Sequence, residues 1–389
     1  MAEEMDIKTR WEQCHVNGQV YDFYNGSLYH YTTRENLWNI INSNSFYARH
    51  VRFSNDSAEY IIGKEEIEKC LDRGELSDLD DCYMVCFCKE NDILSQWREY
   101  ARGGVAIQMD FRNDRIYTIK CNADTEKKKE DPYFIPGGYF NDSIEYNLAY
   151  ARPIAVKYIQ PGKDALKNVV NEIKNYTKED REMAEDDCLK QLLPYIKHSG
   201  FKEEKEVRLV FTVDELNASY LVDYLEDKGM MRPYIRVEVG NAQKRQAEEC
   251  VIECYKVPNE IKKKIKENLE QDILKIKDPD GKEKQIKICL KGGKTKREEK
   301  NRGYIFIENC KYQEYVFQMV DKYVSSYNID HKNKIRIWCG GYLPIRGITV
   351  GPSSDAQELC ESITHKIKKK YWMKYVEVNI SSIPYRTKV

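Results

Sequence analysis

The hydrophobic positions of the chain fall into short runs that alternate with amphipathic stretches, without a long low-complexity linker between them. Most of the short runs are rich in Val, Ile, Tyr and Phe and end at turn residues, which is typical of β-strands. The predicted strands cover residues 28–31, 46–48, 83–88, 104–111, 154–158, 207–212, 234–239, 251–255, 285–290, 303–308, 334–339, 347–350 and 375–380.

Amphipathic stretches with apolar residues at helical spacing predict α-helices between these strands. The predicted helices cover residues 33–43, 58–72, 94–101, 165–176, 179–198, 260–275, 313–327 and 356–370. Because helices and strands do not alternate in a regular βαβ series, the pattern argues against a doubly wound parallel sheet. It favours an α+β fold with mixed and antiparallel sheets and surrounding helices.

The composition is that of a globular protein able to bury a core. The chain has 389 residues, of which 41% are hydrophobic and 33% are charged, and this length fits one elaborated domain or two. We predict an N-terminal extension at residues 1–27 and a single elaborated α+β domain at residues 28–389. No run approaches the roughly 18 apolar residues of a membrane span. Residues 1–10 are acidic and polar, unlike a secretory signal, so we expect a cytoplasmic protein without a membrane partner.

The cysteine pattern supports the same compartment. The chain has 13 cysteines, an odd number without regular spacing, and many lie within apolar strands. Such cysteines indicate reduced core thiols in a cytosolic protein rather than a disulfide framework. No spacing typical of a structural zinc site is present, so we expect no metal.

Charge is distributed unevenly along the chain. The overall net charge is −1, but residues 256–302 contain 16 Lys and Arg against 9 Asp and Glu, a local excess of +7. We interpret this segment as a basic insertion into the domain. It is either a solvated helix with a polar hairpin or a surface that contacts a polyanion such as nucleic acid.

His30 is the first candidate site residue. It follows a short apolar strand and comes just before a predicted helix, for which Thr32 or Thr33 supplies the capping hydroxyl. The start of a helix does not require an imidazole, so His30 is available to bind a ligand. The alternative, a histidine satisfied by a neighbouring backbone carbonyl, stays open at this point.

A second group of candidates surrounds the strand at 83–88. The strand ends at Cys88, and the short helix after it carries Trp97 and Tyr100, three residues apart and therefore predicted to share one helical face. The two rings either complete the core or frame a ligand. The Gly103-Gly104 turn that follows permits a close approach of backbone, by a ligand or by another chain segment.

The third group is acidic and lies at the entrance of the strand at 207–212. If the segment is extended, Glu204, Glu206 and Arg208 fall on one face, because side chains alternate with period two. Carboxylates arranged in this way could stabilise positive charge that develops at a sugar carbon. The alternative is a Glu–Arg pair at a sheet edge.

Taken in order, several short segments resemble a family of bacterial proteins known as domain of unknown function 2971. The resemblance spans about residues 28–386, and one departure is Cys88, where a serine is expected. The matching segments are Leu-Tyr-His-Tyr-Thr at 28–32, Phe-Ser-Asn-Asp-Ser-Ala-Glu at 53–59, Cys-Phe-Cys at 86–88 with Trp97 and Tyr100, Glu-x-Glu-x-Arg at 204–208, Ile-Trp-Cys at 337–339 with Leu-Pro-Ile-Arg at 343–346, Val-Gly-Pro at 350–352 and Ser-x-Ile-Pro-Tyr-Arg ending at 386.

A weaker likeness concerns activity. The order of a histidine after a strand, aromatic residues and a late glutamate resembles the layout of ADP-ribosyltransferases, which consume NAD. This resemblance implies that His30 binds the nicotinamide ribose and that Glu204 or Glu206 is catalytic. It also implies further residues at the NAD site, which are Tyr31, Thr32, Cys88, Trp97, Tyr100 and Arg208. Proteins with this layout are often toxins or phage-defence effectors.

Two other functions fit the same features. A non-catalytic sensor could hold a nucleotide in the same cleft without turning it over. A nucleic-acid-binding protein could use the basic insertion at 256–302 to contact phosphates, and nucleic acid could then also be the acceptor of an ADP-ribosyl group.

Overall fold

The structure is a computed structural model in which secondary structure and contacts are described for part of the chain. The described residues are 21–24, 26–53, 58–71, 75–76, 82–111, 117–119, 150–151, 153–162, 166–179, 185–213, 222–227, 229–238, 250–255, 260, 263–264, 267–268, 273–277, 283–287, 289–290, 302–308, 335–339, 343, 345–370, 373 and 376–384.

A mixed, mostly antiparallel sheet of 13 strands forms the body of the protein. We call it the main sheet, and with the helices around it the fold is α+β, as predicted. Its strands are β1 (Asp22–Phe23), β2 (Gly26–Thr32), β3 (Ser45–His50), β4 (Cys82–Cys88), β5 (Val105–Phe111), β6 (Tyr117–Ile119), β7 (Tyr150–Ala151), β8 (Ile154–Ala155), β11 (Glu206–Thr212), β12 (Val222–Asp227), β13 (Met230–Glu238), β20 (Ile345–Val350) and β21 (Glu377–Ile380).

Strands β2 and β4, which come early in the chain, lie at the centre of the main sheet. The central path runs β21-β20-β5-β2-β4-β3-β13-β6-β7, and β11 pairs with the opposite side of β4. Strands β20 and β21 are parallel, which makes the sheet mixed. Strand β1 pairs with β8 and Tyr21 is buried, so the described part of the predicted N-terminal extension packs on the body. The boundary at residue 28 stays a prediction.

Two smaller sheets lie between β13 and β20 in the chain. One has four strands in the order β17-β18-β14-β19, and the other is a ribbon of two strands, β15 and β16. The basic segment 256–302 lies mostly between the paired strands β14 and β18, and includes the ribbon. The bounds are β14 (Cys250–Tyr255), β15 (Ile273–Lys277), β16 (Glu283–Lys287), β17 (Cys289–Leu290), β18 (Arg302–Glu308) and β19 (Ile335–Cys339).

Helices surround the main sheet. The first helix, α1, begins after Thr33, whose side chain accepts a hydrogen bond from the Asn36 backbone N–H, and it ends at Asn44 in the left-handed conformation. The predicted cap is therefore confirmed. The helices are α1 (Arg34–Ser43), α2 (Ala58–Glu68), α3 (Leu94–Gln96), α4 (Lys167–Glu179), α5 (Glu185–Leu192) and α6 (Ala356–Ile367).

One predicted helix, at residues 179–198, is wrong in its second half. Helix α5 ends at Leu192 and a 3₁₀ turn covers Leu193–Tyr195, after which strand β10 (Ile196–His198) pairs in parallel with β9 (Lys157–Ile159). Pro194 cannot continue the hydrogen-bond ladder of an α-helix, and the chain becomes extended directly after it. The predicted strand at 154–158 is likewise divided between β8 and β9.

The predicted helix at 260–275 is also wrong at its end. Residues 260, 263–264 and 267–268 are helical, but residues from Ile273 onward form β15, which pairs with β16. The alternation Ile-Leu-Lys-Ile-Lys has the period of a strand rather than that of a helix. The helix predicted at 313–327 lies outside the described residues.

Gly104 shows why the turn before β5 needs glycine. A Cβ atom at this position would lie 2.2 Å from the Thr32 carbonyl oxygen and 2.8 Å from that of Ala101. Gly103 has a φ of +76°, in the left-handed region that favours glycine. The close approach of backbone predicted at this turn is therefore made by another chain segment, at Thr32.

The two faces of the main sheet carry separate cores. One face, which we call the Leu28 face, carries a large cluster that includes Leu28, Phe87, Ile107 and Val207. The other, which we call the Cys88 face, carries a cluster around Tyr31, Cys88 and Trp97 and a second one around Met84 and Ile154. Within the described part of the chain, no helix has the length and apolar character needed to cross a membrane.

Candidate functional site

The pairing of β4 with β11 brings two charged residues together on the Cys88 face. Glu206 lies opposite Cys88 and Arg208 lies opposite Cys86, and residues directly opposite in an antiparallel pair share a face. Glu206 and Arg208 are only 6% and 3% exposed. A charged pair at this depth requires complete hydrogen bonding to be tolerated.

Both oxygens of Glu206 are fully engaged. Oε1 accepts from Arg208 Nε at 2.7 Å, and Oε2 accepts from Arg208 NH2 at 2.9 Å and from Lys197 Nζ at 3.1 Å. Although burial opposes ionisation, the charges and hydrogen bonds of Arg208 and Lys197 lower the pKa of Glu206 to about 2. Glu206 is therefore ionised at neutral pH, and its charge holds Arg208 and Lys197 in place.

Arg208 and Lys197 connect this anion to the rest of the fold. Arg208 NH1 donates to the Pro194 carbonyl at 2.6 Å. Lys197 is 4% exposed, and its ammonium group bridges Glu206 and Glu204, with a distance of 2.6 Å to Glu204 Oε2. The four side chains Lys197, Glu204, Glu206 and Arg208, which we call the ionic cluster, contain two positive and two negative groups. Their charges balance.

Glu204 reaches the ionic cluster by a different route from the one predicted. Residues Ser199–Glu204 form a 3₁₀ helix, Lys205 has a φ of 45°, and β11 begins only at Glu206. The expected extended segment is therefore wrong before Glu206. The left-handed turn at Lys205, and not strand alternation, directs Glu204 toward Lys197.

Glu204 is the more accessible of the two carboxylates. Its side chain is 16% exposed; Oε1 accepts a hydrogen bond from the Tyr100 hydroxyl at 3.1 Å and Oε2 accepts from Lys197. Burial raises the pKa of Glu204, with the negative charge of Glu206 adding to the effect and Lys197 and Tyr100 opposing it. A carboxyl group whose pKa is raised by burial in this way can exchange a proton during a reaction.

Tyr100 and Trp97 do not act as a pair of rings. The helix that begins with α3 continues as a π-helical turn over Trp97–Ala101, and this wider turn separates side chains that an α-helix would align. Trp97 Nε1 donates to Asp92 at 2.8 Å and its ring lies edge-on to Tyr31 at 4.8 Å. Tyr100 instead donates a hydrogen bond to Glu204, so the two rings have different partners.

Several predicted site residues have structural partners beside the ionic cluster. The Tyr31 hydroxyl donates to the Glu90 carbonyl and accepts from the Ile93 N–H. Cys88 is 1% exposed, and burial raises the pKa of its thiol to about 11. Thr32 is not among them: it is 5% exposed, pairs with Val105, and shares the Leu28 face with His30.

His30 lies on the other face of the main sheet. Strand alternation places it with Leu28, and its ring contacts Phe46 and Phe87 at centroid distances of 5.1 and 5.6 Å. Its Nδ1 donates to the Cys86 carbonyl at 3.0 Å. Burial lowers the pKa of His30, which favours the neutral ring.

The position of His30 follows from a fork in the sheet. Strand β4 pairs with β2 only at Cys88 and with β3 only at Met84 and Tyr83, so its carbonyls between these points lack a strand neighbour on that side. The imidazole of His30 satisfies the Cys86 carbonyl there. The structure therefore does not bring His30 together with Glu204 and Glu206 on one face.

Three partners of the ionic cluster were missed in the sequence. Lys197 was placed in the false helix at 179–198. The Tyr158 hydroxyl accepts from the Glu206 N–H at 2.8 Å, and the Cys86 thiol hydrogen-bonds to Glu206. The period-two spacing of Cys86 and Cys88 indicates that the two thiols share one face of a strand. The sequence does not show which strand pairs with it.

The described residues contain no group of three or more His, Cys, Asp and Glu side chains placed to hold a metal ion. Six cysteines whose side chains are described form no disulfide: Cys70, Cys82, Cys86, Cys88, Cys188 and Cys360. The ionic cluster itself presents Glu204, a carboxylate held by the Tyr100 hydroxyl and the Lys197 ammonium group next to Glu206.

Residues 96–209 match the family model described as protein of unknown function (DUF2971). This range includes Trp97, Tyr100 and the whole ionic cluster, so the site lies within a DUF2971 family domain. No curated protein and no solved structure matches the chain.

Proposed function

We propose that the protein is an ADP-ribosyltransferase-like enzyme that cleaves the N-glycosidic bond of NAD or a related nucleotide, with Glu204 as the catalytic carboxylate. The observation that carries this proposal is the state of Glu204. It is a partly exposed carboxylate with a raised pKa, next to a glutamate that is locked in its ionised form. Two carboxyl groups with separated pKa values are a common arrangement for acid–base chemistry at a sugar carbon.

The reaction fits these two groups. As the bond between the ribose carbon and the nicotinamide nitrogen breaks, its electron pair goes to the nitrogen, which neutralises the pyridinium, and positive charge develops on the sugar. The Glu204 carboxylate stabilises that charge. The acceptor, water or a nucleophile on nucleic acid or protein, then bonds to the ribose carbon and loses its proton to Glu204.

The other members of the ionic cluster act through Glu204. Tyr100 and Lys197 hold one carboxylate oxygen each. Glu206 holds Lys197, and Arg208 in turn holds Glu206. These are positioning residues. His30 lies across the sheet from Glu204, so the ribose contact predicted for His30 has no part in this proposal.

The test is release of nicotinamide from NAD by the purified protein, with and without nucleic-acid or protein acceptors. Glu204→Gln keeps the shape of the side chain but removes its charge, and we expect kcat to fall at least 100-fold. The matched control is Glu203→Gln, because Glu203 is exposed on the same 3₁₀ helix and should leave kcat unchanged. Equal turnover by the two variants, or none by the wild-type protein with any acceptor, contradicts the proposal.

A nucleotide-binding module without catalysis is the second candidate. The ion pair between Glu204 and buried Lys197 favours it, because a neutralised carboxylate can serve as a purely structural element. This function predicts that Glu204→Gln leaves both nucleotide affinity and biological output intact. A catalytic Glu204 instead predicts retained binding with lost turnover.

The partners and setting also remain proposals. We propose nucleic acid as a partner of the basic segment 256–302, on the strength of its +7 charge. An affinity that decreases steeply with salt, and that is lost when the segment is deleted, supports this role; a salt-independent affinity contradicts it. A role as a bacterial toxin or phage-defence effector in the cytoplasm rests on the resemblance alone.

A further inference from the structure

A single row of residues crosses the Cys88 face of the main sheet, starting from the ionic cluster. Each member lies directly opposite the next on the neighbouring strand, so all of them share one face. In order from β11 to β21, the row consists of Glu206, Cys88, Tyr29, Gln108, Gly347 and Glu377.

The middle of this row is not covered as a core would be. Tyr29 and Gln108 are partly exposed, whereas their strand neighbours Leu28 and Ile107, which point to the other face, are fully buried. A tyrosine and a glutamine at the centre of two central strands are unusual for a packed layer. Within the described part of the chain, the face is therefore only partly covered at this point.

The chemical groups in the open part of the row suit a flat ring with a polar edge. Tyr29 packs partly against the cluster of Tyr31, Cys88 and Trp97. Among the described residues its hydroxyl makes no hydrogen bond, so the hydroxyl and the exposed part of the ring are available. The Gln108 amide donates to Ser27 Oγ at 3.2 Å, which fixes its orientation. At Gly347 a Cβ atom would lie 2.9 Å from Gln108 Oε1, so this glycine gives the amide the space that it occupies.

Spacing connects this surface to Glu204. Adjacent strands lie about 4.8 Å apart, so Tyr29 is two strand spacings, about 10 Å, from Glu206. Burial raises the pKa values of Tyr29 and of Cys88, and the charge of Glu204 is felt at Cys88 between them. Glu204 lies beside Glu206, because Lys197 contacts both carboxylates, so the second base of a dinucleotide that reacts at Glu204 can extend to Tyr29.

We infer that Tyr29 and Gln108 form a nucleobase subsite, with the base stacked on the Tyr29 ring and its edge bonded to the Gln108 amide. This inference rests on the proposed function for its second half, which is that the substrate at Glu204 is a dinucleotide rather than a mononucleotide. Stacking on an aromatic side chain changes affinity by about tenfold or more.

The test uses AMP as a probe of the subsite and compares NAD with nicotinamide mononucleotide as substrates. We expect AMP to bind the wild-type protein, and Tyr29→Leu to weaken that binding about tenfold. The matched control, Tyr224→Leu, changes an exposed tyrosine on β12 and should leave AMP binding unchanged. Gln108→Met, which keeps the side-chain length, should raise KM for NAD about tenfold with kcat unchanged, and should not affect nicotinamide mononucleotide.

The two parts of the inference fail separately from the proposed function. If AMP does not bind, or if Tyr29→Leu and Gln108→Met leave AMP affinity and KM for NAD as in the wild type, the subsite is overturned even where Glu204 turns over both substrates. If AMP binds in a Tyr29-dependent way and no substrate is turned over, the subsite stands and the proposed function falls. Circular dichroism and thermal unfolding of each variant confirm that it is folded.

Discussion

The two faces of the main sheet, separated by one layer of backbone, treat polar side chains in opposite ways. On the Leu28 face, His30 is a neutral ring between Phe46 and Phe87 with a backbone carbonyl as its partner. On the Cys88 face, Glu204 and Glu206 form part of a charged cluster that opens toward solvent at Glu204. A polar side chain near a strand end is thus not enough to identify a candidate site. The face to which the side chain points decides which residues surround it.

The largest effect is expected from breaking the ionic cluster at its most buried member. Arg208→Met keeps much of the volume but leaves Glu206 buried with only Lys197 as a charged partner, which should destabilise the protein by about 3–5 kcal/mol. Urea unfolding measures this change. The control is Lys205→Met, since the Lys205–Glu90 pair is exposed on both sides and should cost less than about 1 kcal/mol.

A similar loss for both variants would mean that Arg208 is no more important than a surface charge. The buried charges of the Cys88 face would then contribute no more to stability than surface charges do. The ionic cluster would not be needed to position Glu204.

A smaller effect is expected on the opposite face. His30→Leu removes the donor to the Cys86 carbonyl and should cost about 1–3 kcal/mol, the penalty for a buried acceptor without a partner. Because His30 does not face Glu204, we expect kcat and KM for NAD to stay within about twofold of the wild type. His365→Leu, at an exposed position of α6, controls for the loss of an imidazole.

The pH dependence of stability sharpens this prediction. Since burial lowers the pKa of His30 below its ordinary value of 6.5, the folded protein binds this proton less readily than the unfolded chain. The contribution of His30 to stability is complete above pH 6.5 and is lost as the pH falls from there through the folded pKa. His30→Leu should remove this part of the slope. A folded His30→Leu protein that has lost turnover would instead place His30 in the active site.

Some of this organisation is present in the sequence and some is not. Thr33 as the cap of α1, the strands β2, β4, β5 and β11, and the shared face of Glu206 and Arg208 follow from local pattern. The alternation of Leu28 and His30 was a signal that went unused, since it places the imidazole on the core face of β2. The pairing of β4 with β11, which determines where Glu206 lies, is a long-range contact that no local pattern encodes.

The wrong predictions for Lys197 and Glu204 also come from reading local pattern alone. Lys197 was assigned to a helix because the polar and apolar residues around it fit a helical period, and Pro194 was the signal against it. Glu204 was assigned to an extended segment because period two fits Glu204, Glu206 and Arg208 equally well. The left-handed conformation of Lys205 is not favoured by a lysine side chain. It occurs where the Lys205 N–H donates to the Lys202 carbonyl and the Lys205 carbonyl accepts from the Lys89 N–H, a contact distant in sequence.

The smallest expected effect separates the two glutamates themselves. The pKa of Glu206 is lowered from 4.5 to about 2, so its stabilising contribution is present above pH 4.5 and is lost as the pH falls from 4.5 toward 2. The pKa of Glu204 is raised above 4.5, so the unfolded chain releases this proton first. Ionisation of Glu204 therefore weakens the fold as the pH rises from 4.5 through the folded pKa.

When the unfolding free energy is measured from pH 3 to pH 8, each variant should accordingly lose a pH-dependent contribution, and the two contributions have opposite signs. Glu206→Gln should flatten the acid side of the curve, and Glu204→Gln should remove a smaller decline above pH 4.5. The same ionisation should set the acid limb of NAD turnover above pH 4.5, because only the carboxylate form of Glu204 can accept the proton. If both variants flatten the same side, the two carboxylates are equivalent, and the division into a positioning anion and a reacting group is wrong.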